Sequence, residues 1–246
     1  MRDRYGRRVL ARFVLIHGAW HGGWCWHHVA PILRAAGHTV YTPTLTGLGE
    51  RVHLAHRGID LSLHASDVVA VLEMEDLTDV VLVGHSYAGM VITAVAERAA
   101  ERLHSLIYLD AIVPRNGQSM MDTLDQETRD RRDAQVSTTG EGWKLTPSTT
   151  EHLGITNAAD AAWVGARLVS QPYGTYQEPI QLNNPAAETL QRSYVYCSAG
   201  AFAARFATFA KQASEDPRWH YAELATGHDA MITMPDALAQ VLMEMA

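Results

Sequence analysis

The stretch that most constrains the fold of this chain is Asp79–Gly89. It reads Asp-Val-Val-Leu-Val-Gly-His-Ser-Tyr-Ala-Gly, in which an apolar, β-branched run typical of a buried strand stops abruptly before a serine. An apolar pattern at helical spacing then begins at Met90. A serine on a sharp turn between a strand and a helix holds its hydroxyl exposed, as in the nucleophile elbow G-x-S-x-G. The stretch therefore predicts a strand–turn–helix unit that presents Ser86, although Ala88 stands where the motif usually has glycine.

The length and charge of the chain exclude several classes of protein. A chain of 246 residues is long enough for one domain with a full core. The formal net charge of −7 argues against nucleic acid or an anionic membrane as a partner. No apolar run approaches the roughly 20 residues that span a bilayer.

The positions of the early arginines and the small number of cysteines bear on the cellular compartment of the protein. The early arginines have no apolar segment behind them and do not form a secretory signal; they are Arg2, Arg4, Arg7, Arg8 and Arg12. The two cysteines, Cys25 and Cys197, set no disulfide framework, which is typical of a reducing compartment. We therefore expect a cytoplasmic protein.

Strands alternate with helices along most of the chain. This order predicts one α/β domain over residues 1–246, with a mostly parallel sheet covered by helices on both faces. Residues 114–191 differ, because they carry short helical patterns around Thr123–Gln135 and Ala158–Val169 and no convincing strand. So long an excursion between strands predicts an inserted cap. Ser62 is the predicted cap of the helix before the elbow strand.

Three residues with complementary chemistry stand at or just past predicted strand ends: Ser86, Asp110 and His228. The carboxyl ends of parallel strands meet at one edge of a sheet, where ligands bind. A serine hydroxyl needs a neighbouring base, and the base needs a third group to fix its tautomer. We therefore predict that His228 is the base for Ser86 and that Asp110 is the acid that orients His228.

Other interpretations of these residues stay open. His228 is one of 13 histidines, and it could be an ordinary surface residue. Asp110 could instead cap the turn that follows it. Asp229, next to the histidine, and Asp216, before Pro217, are rival acids.

The loop after the first strand is rich in glycine, histidine and tryptophan. Together with the backbone N–H of Tyr87, the N–H of Ala19 in this loop is predicted to form an oxyanion hole. The same loop allows a metal-site interpretation through five potential ligands: His17, His21, Cys25, His27 and His28. No second cluster with structural-zinc spacing and no H-E-x-x-H pattern accompanies them, so no metal or other cofactor is predicted.

Several segments together resemble one enzyme family. They are Phe13–Trp26, Gly37-His38, the elbow Gly84–Gly89 and the turn Gly227-His228. These segments are similar to the plant hydroxynitrile lyase and methyl esterase branch of the α/β-hydrolase superfamily and to its bacterial carboxylesterase relatives. The resemblance covers nearly the whole chain and is loosest across the cap. It implies six parallel strands under a mostly helical cap, and catalytic roles for Ser86, His228 and the amides of Ala19 and Tyr87.

Three departures from that family pattern favour ester hydrolysis and Asp110. Plant members place the acid just after the strand equivalent to Arg192–Cys197, but Ser198–Ala201 contains no carboxylate here. The lyases carry a threonine where this chain has Gly18, and a lysine where it has Asp229. The expected activity is therefore that of a serine carboxylesterase, which forms an acyl-enzyme without a cofactor.

The substrate class is expected to be small to medium, apolar or aromatic esters. This expectation depends on large apolar side chains in the cap, which are Met120, Met121, Trp143, Trp163 and Tyr173. One alternative function is a lyase or another cofactor-free reaction on the same fold. The other is a non-catalytic protein that binds a ligand. A homodimer is compatible with the sequence, and neither nucleic acid nor membrane is an expected partner.

Overall fold

The structure is a computed structural model, and it describes residues 10–246. Of the early arginines, only Arg12 falls within this range. No helix in residues 10–246 has both the length and the apolar character that crossing a membrane requires.

The centre of the molecule is a parallel six-stranded sheet. The strands of the chain are β1 (Arg12–Ile16), β2 (Thr39–Tyr41), β3 (Val80–His85), β4 (Leu103–Leu109), β5 (Lys144–Leu145), β6 (Gln171–Pro172), β7 (Gln191–Cys197) and β8 (Trp219–Leu224). The six-stranded sheet has the order β2-β1-β3-β4-β7-β8, and each neighbouring pair is parallel. All six residues of β3 are buried, which explains its continuous apolar sequence. The predicted α/β-hydrolase fold is confirmed.

Helices surround this sheet. They are α1 (Val29–Ala35), α2 (Leu61–Met74), α3 (Ala88–Ala99), α4 (Gln126–Thr138), α5 (Ala158–Gly165), α6 (Gly174–Gln177), α7 (Pro185–Glu188), α8 (Ala203–Glu215), α9 (Ala230–Thr233) and α10 (Pro235–Glu244). Helix α1 packs against α10, α2 packs against α3, and α8 packs against β7 and β8. The buried face of α8 carries Phe206, Ala210 and Ala213 at helical spacing, so the helix lies flat on the sheet.

The segment between β4 and β7 contains α4 to α7 and one short antiparallel pair, β5 with β6. The prediction that this segment has no strand was therefore wrong. Each of these strands has only two residues, so neither shows a periodic pattern in the sequence. Strands β5 and β6 form hydrogen bonds with the loop that follows β1. The carbonyl of Leu145 accepts a hydrogen bond from Trp20 Nε1, and the side chain of Gln171 accepts one from the Trp20 N–H.

The predicted cap of α2 was also wrong. Asp60 caps this helix, since its carboxylate accepts a hydrogen bond of 2.9 Å from the N–H of Leu63. Ser62 lies in the first turn, where its N–H and hydroxyl both donate to the carboxylate of Glu178. Both residue types are good caps, so the sequence alone did not separate them.

Candidate active site

The elbow places Ser86 between β3 and α3 in a strained backbone conformation. Its φ is +57°, a left-handed value that is uncommon for a residue with a side chain. Space around it is restricted on both sides. A Cβ on Gly84 would lie 2.7 Å from the carbonyl oxygen of Ala88, and one on Gly89 would lie 1.9 Å from that of Ile112. The strict requirement for glycine therefore falls on Gly84 and Gly89, and alanine is tolerated at position 88.

Ser86, His228 and Asp110 lie together in one hydrogen-bonded chain. The Ser86 hydroxyl lies 2.8 Å from Nε2 of His228, and Nδ1 of His228 lies 2.6 Å from Oδ2 of Asp110. The other carboxylate oxygen of Asp110 accepts a hydrogen bond of 3.2 Å from the N–H of Cys197. An ionised Asp110 carboxylate can only accept hydrogen bonds, so in that state the proton of the imidazole lies on Nδ1, and Nε2 is left to accept the hydroxyl proton of Ser86.

Asp110 shares the strained backbone of Ser86. Its φ is +41°, and it directly follows β4, the strand next to the elbow strand. Its N–H donates to the carbonyl of Val195 at 2.7 Å, which ties the carboxylate to β7. The strain at Asp110 is maintained by surrounding contacts, as is common where a side chain must point at a fixed target.

Burial sets the protonation state of the base. Both His228 and Asp110 are almost completely buried. Burial lowers the pKa of His228 from its ordinary value to about 3, so the imidazole is uncharged at neutral pH. Burial raises the pKa of the Asp110 carboxyl, and the N–H of Cys197 opposes that rise. An uncharged imidazole in contact with a hydroxyl is the state that can take up a proton.

Aromatic rings hold the imidazole of His228 in place. Phe202 and Phe206 both stack on it, with ring centroids at 4.4 and 5.0 Å. His85 lies 4.5 Å away by the same measure and contacts the carbonyl of His228 through Nε2 at 3.0 Å. The ring orientation is therefore fixed by packing as well as by Asp110.

The loop after β1 lies directly on Ser86. A Cβ on Gly18 would lie 3.0 Å from the Cβ of Ser86 and 2.8 Å from Nδ1 of His85, so a side chain at position 18 would need both residues to move. The predicted oxyanion donors are placed on either side of this contact, Ala19 in the loop and Tyr87 after the serine. Within residues 10–246, neither N–H donates a hydrogen bond to another group.

A second buried histidine–aspartate pair supports this loop. His21 Nε2 lies 3.0 Å from Oδ2 of Asp229, and His21 Nδ1 lies 2.7 Å from the carbonyl of Ala19. Burial acts to lower the pKa of His21, but Asp229 outweighs it, and the net shift is upward. Burial acts to raise the pKa of Asp229, but His21, together with His85 and His228, outweighs it, and the net shift is downward. The sequence interpretation missed this pair, because the two residues are 208 positions apart and were considered for other roles.

The two rival acids lie elsewhere in the hydrogen-bond network. Asp229 binds His21, and its carboxylate makes no hydrogen bond with the imidazole of His228 among the described residues. Asp216 ends α8, where its carboxylate binds the guanidinium of Arg218 at 2.6 Å and its pKa falls to about 2. Of the three aspartates considered, the structure brings only Asp110 to His228.

The five potential metal ligands of the β1 loop do not converge. His17 is buried between the carbonyl of Gly18 and the N–H of Leu45, whereas His27 and His28 contact Trp163. Within the described part of the chain, the one histidine–carboxylate cluster tight enough for an ion contains His85, His228 and Asp229. Several of its atoms already bind Ser86, Asp110, His21 and the backbone, whereas Nδ1 of His85 and Oδ1 of Asp229 make no hydrogen bond within residues 10–246. The absence of a metal stays a prediction.

Comparison with known proteins decides the family. The sequence profile of the alpha/beta hydrolase family matches residues 13–241. The chain belongs to the α/β-hydrolase family. It is 41% identical over 243 residues to the carbendazim hydrolyzing esterase of Nocardioides sp. (strain SG-4G), a match that covers 95% of this chain and 98% of that protein. Methylesterase 1 of Arabidopsis thaliana is 34% identical over 125 residues, which are 46% of this chain and 44% of that protein.

These relatives confirm the resemblance to methyl esterases and bacterial esterases, and they support esterase activity for this α/β-hydrolase.

Solved structures of other proteins have the same fold. An extracellular α/β-hydrolase from a Paenibacillus species has a TM-score of 0.78 at 22% identity and covers 96% of this chain and 99% of its own. A pyrethroid hydrolase from Sphingobium faniae JZ-2 has a TM-score of 0.73 at 21% identity. The match covers 96% of this chain and 97% of that hydrolase.

Proposed function

We propose that this α/β-hydrolase is a serine carboxylesterase that forms an acyl-enzyme on Ser86. The observation that carries the proposal is the continuous chain from the Ser86 hydroxyl through His228 to Asp110, with contacts of 2.8 and 2.6 Å. These contacts are within the range that proton transfer requires.

The reaction follows from the positions of the groups. The Ser86 oxygen attacks the ester carbonyl while Nε2 of His228 takes the hydroxyl proton. The N–H groups of Ala19 and Tyr87 donate to the oxyanion of the tetrahedral intermediate. His228 then gives its proton to the leaving alkoxide, and it later removes a proton from the water that hydrolyses the acyl-enzyme. Asp110 keeps the imidazole in the required tautomer throughout.

Two features favour hydrolysis over lyase chemistry. Asp229 occupies the position at which the lyases have lysine, and it is buried in a pair with His21, so no free cation stands there. Gly18 occupies the position of the lyase threonine, where even a Cβ would contact His85 and Ser86 closely.

For the substrate, we propose small to medium carboxylic esters with an apolar or aromatic part. The likeness to a carbendazim hydrolyzing esterase makes carbendazim a compound to include in a substrate screen. Phe202, Phe206 and Trp20 supply aromatic surface beside the proposed site.

A fluorophosphonate probe tests the proposal, because it labels only an activated serine. We expect stoichiometric labelling of Ser86 by mass spectrometry, together with hydrolysis of p-nitrophenyl butanoate. The Ser86→Ala variant should lose both. If Ser86→Ala hydrolyses the ester at the wild-type rate, the mechanism is wrong. Tight binding of the ester without turnover would favour the non-catalytic alternative, and turnover without labelling would favour the lyase or another cofactor-free reaction.

A further inference from the structure

A cavity of about 360 Å³ lies beside the proposed active site. Phe202 forms part of its wall, and the same ring stacks on the imidazole of His228 at 4.4 Å between centroids. One side chain therefore separates the cavity from the proposed base. The other walls come from residues 123–125 before α4, from the first two turns of α4, from His152 and from Arg205 on α8.

The cavity has an excess of positive charge. Its charged lining consists of three guanidinium groups and one carboxylate, from Arg131, Arg132, Arg205 and Asp125. The Asp125 carboxylate is already engaged at the N-terminus of α4, where it accepts hydrogen bonds from the N–H and hydroxyl of Thr128 at 2.7 and 3.0 Å. Arg132 donates a hydrogen bond to Gln135 at 3.2 Å, and Arg205 lies 5.6 Å from the ring centroid of Phe206, but none of the three guanidinium groups forms an ion pair with a carboxylate within residues 10–246.

Arg205 shows the imbalance most clearly. Its Nε and Nη2 atoms are buried, and neither donates a hydrogen bond to a group within residues 10–246. Burial lowers the pKa of Arg205; Tyr176 and Asp125 oppose this shift, and the neighbouring Arg132 acts in the same direction as burial. Arg205 as a whole is half-buried, but these two nitrogen atoms have lost water without gaining an acceptor, which is costly. A negatively charged ligand in the cavity would supply the missing acceptors.

Arg132 connects the cavity to the other side of the site. Its Nε is also buried without an acceptor among the described residues, and its guanidinium lies 5.4 Å from the ring centroid of Trp20. Trp20 directly follows the proposed oxyanion donor Ala19. Arg205 thus lies beside Phe206, one of the rings that stack on His228, and Arg132 lies beside the loop that carries the proposed oxyanion donor.

We propose that this cavity is a subsite for a carboxylate group of the substrate, and that the preferred substrates are monoesters of dicarboxylic acids. The proposal rests on the proposed function, since the ester end must reach Ser86. Guanidinium groups bind carboxylates through two parallel, charge-assisted hydrogen bonds. Leu124 and Phe202 in the lining would pack against the apolar spacer between the two ends.

Paired substrates test the proposal. The monomethyl esters of succinic, glutaric and adipic acid would each be compared with the methyl ester of the corresponding uncharged monoamide, with proton release as the assay. The wild-type protein should hydrolyse at least one anionic ester with a kcat/KM about 10- to 100-fold above that of its amide, as expected for charge-assisted hydrogen bonds. Equal values throughout the series would overturn the proposal.

Two variants locate the effect. Arg205→Gln should remove most of the preference for the anionic ester, measured as the ratio of kcat/KM for the two esters, and Lys211→Gln, on the solvent side of the same helix, should keep the preference. Arg131→Gln, at an exposed position, should reduce the preference by a smaller factor with little effect on folding. Arg129→Gln is its control, because Arg129 lies on α4 outside the cavity lining. A preference that survives Arg205→Gln would also contradict the proposal.

A binding measurement separates this proposal from the proposed function. Adipate should raise the melting temperature of the wild-type protein more than adipamide does, and Arg205→Gln should abolish the difference. If no ester is turned over and Ser86 is not labelled, but adipate still stabilises the protein through Arg205, only the proposed function fails. If esters are hydrolysed through Ser86 without preference for the anion, only the carboxylate subsite fails.

Discussion

Two buried histidine–aspartate pairs lie in neighbouring parts of this molecule, and their imidazole groups differ in the protonation state that their contacts favour. His228 with Asp110 faces the hydroxyl of Ser86, whereas His21 with Asp229 faces the carbonyl of Ala19. A hydroxyl can donate a hydrogen bond to the second imidazole nitrogen, so His228 can be uncharged, which is the state that its burial favours. A carbonyl can only accept, so both nitrogens of His21 must carry protons. The partner of the second nitrogen thus decides whether such a pair performs proton transfer or holds a loop.

The most damaging change should be in the first pair. Asp110→Asn keeps the shape of the acid but removes the acceptor that fixes the tautomer of His228, so kcat/KM for p-nitrophenyl butanoate should fall about 10³- to 10⁴-fold. Asp229→Asn should lower the activity of the folded fraction far less, because Asp229 does not bind the base. Asp216→Asn, at the end of α8, is the control and should match the wild type. Full activity of Asp110→Asn together with loss of activity in either other variant would reverse the assignment.

A change in the second pair should have its main effect on the free energy of unfolding. Asp229→Asn leaves a buried imidazolium without its counter-charge, and such a loss typically costs about 3–5 kcal/mol in the free energy of unfolding. The double variant His21→Leu/Asp229→Leu removes both charges and should be more stable than the single variant. Urea denaturation measures both values. A single variant as stable as the wild type would show that His21 is not charged in the folded protein.

The smallest expected effect is a dependence of stability on pH. The pKa of His21 is raised on folding, so its contribution is present below its ordinary value and is lost as the pH rises through the folded value. The pKa of Asp229 is lowered, so its contribution is present above its ordinary value and is lost as the pH falls through the folded value. The free energy of unfolding of the wild type, minus that of the double variant, should therefore be greatest between about pH 4 and 6.5. If this difference in the free energy of unfolding stays constant across that pH range and above it, His21 and Asp229 do not form an ion pair.

The first pair could be predicted from the sequence, and the reason is geometric. Ser86, Asp110 and the turn before His228 follow strands of one parallel sheet, and such strand ends meet at one edge. The side chain of Asp110 also interrupts an otherwise apolar region, which indicates a polar partner. Local pattern and fold class favoured Asp110 but left Asp229 and Asp216 open as rival acids.

The second pair could not be predicted in the same way. His21 lies within a loop, and its position depends on contacts of Trp20 with β5 and β6, which are too short to leave a sequence pattern. The positions of the cavity arginines were equally hard to predict, since Arg132 lies on α4 and Arg205 on α8, which are far apart in the sequence. Whether an arginine side chain finds an acceptor depends on tertiary contacts, which a local sequence pattern does not show.

The most direct test of the difference between the two pairs is the protonation state of their histidines. Long-range proton–nitrogen correlation spectra of the imidazole groups at neutral pH distinguish the charged ring from each neutral tautomer, and His21→Gln and His228→Gln assign the signals. We expect His21 to carry protons on both nitrogens and His228 to carry one on Nδ1 alone. A charged His228 or a neutral His21 at that pH would contradict the division between the two pairs.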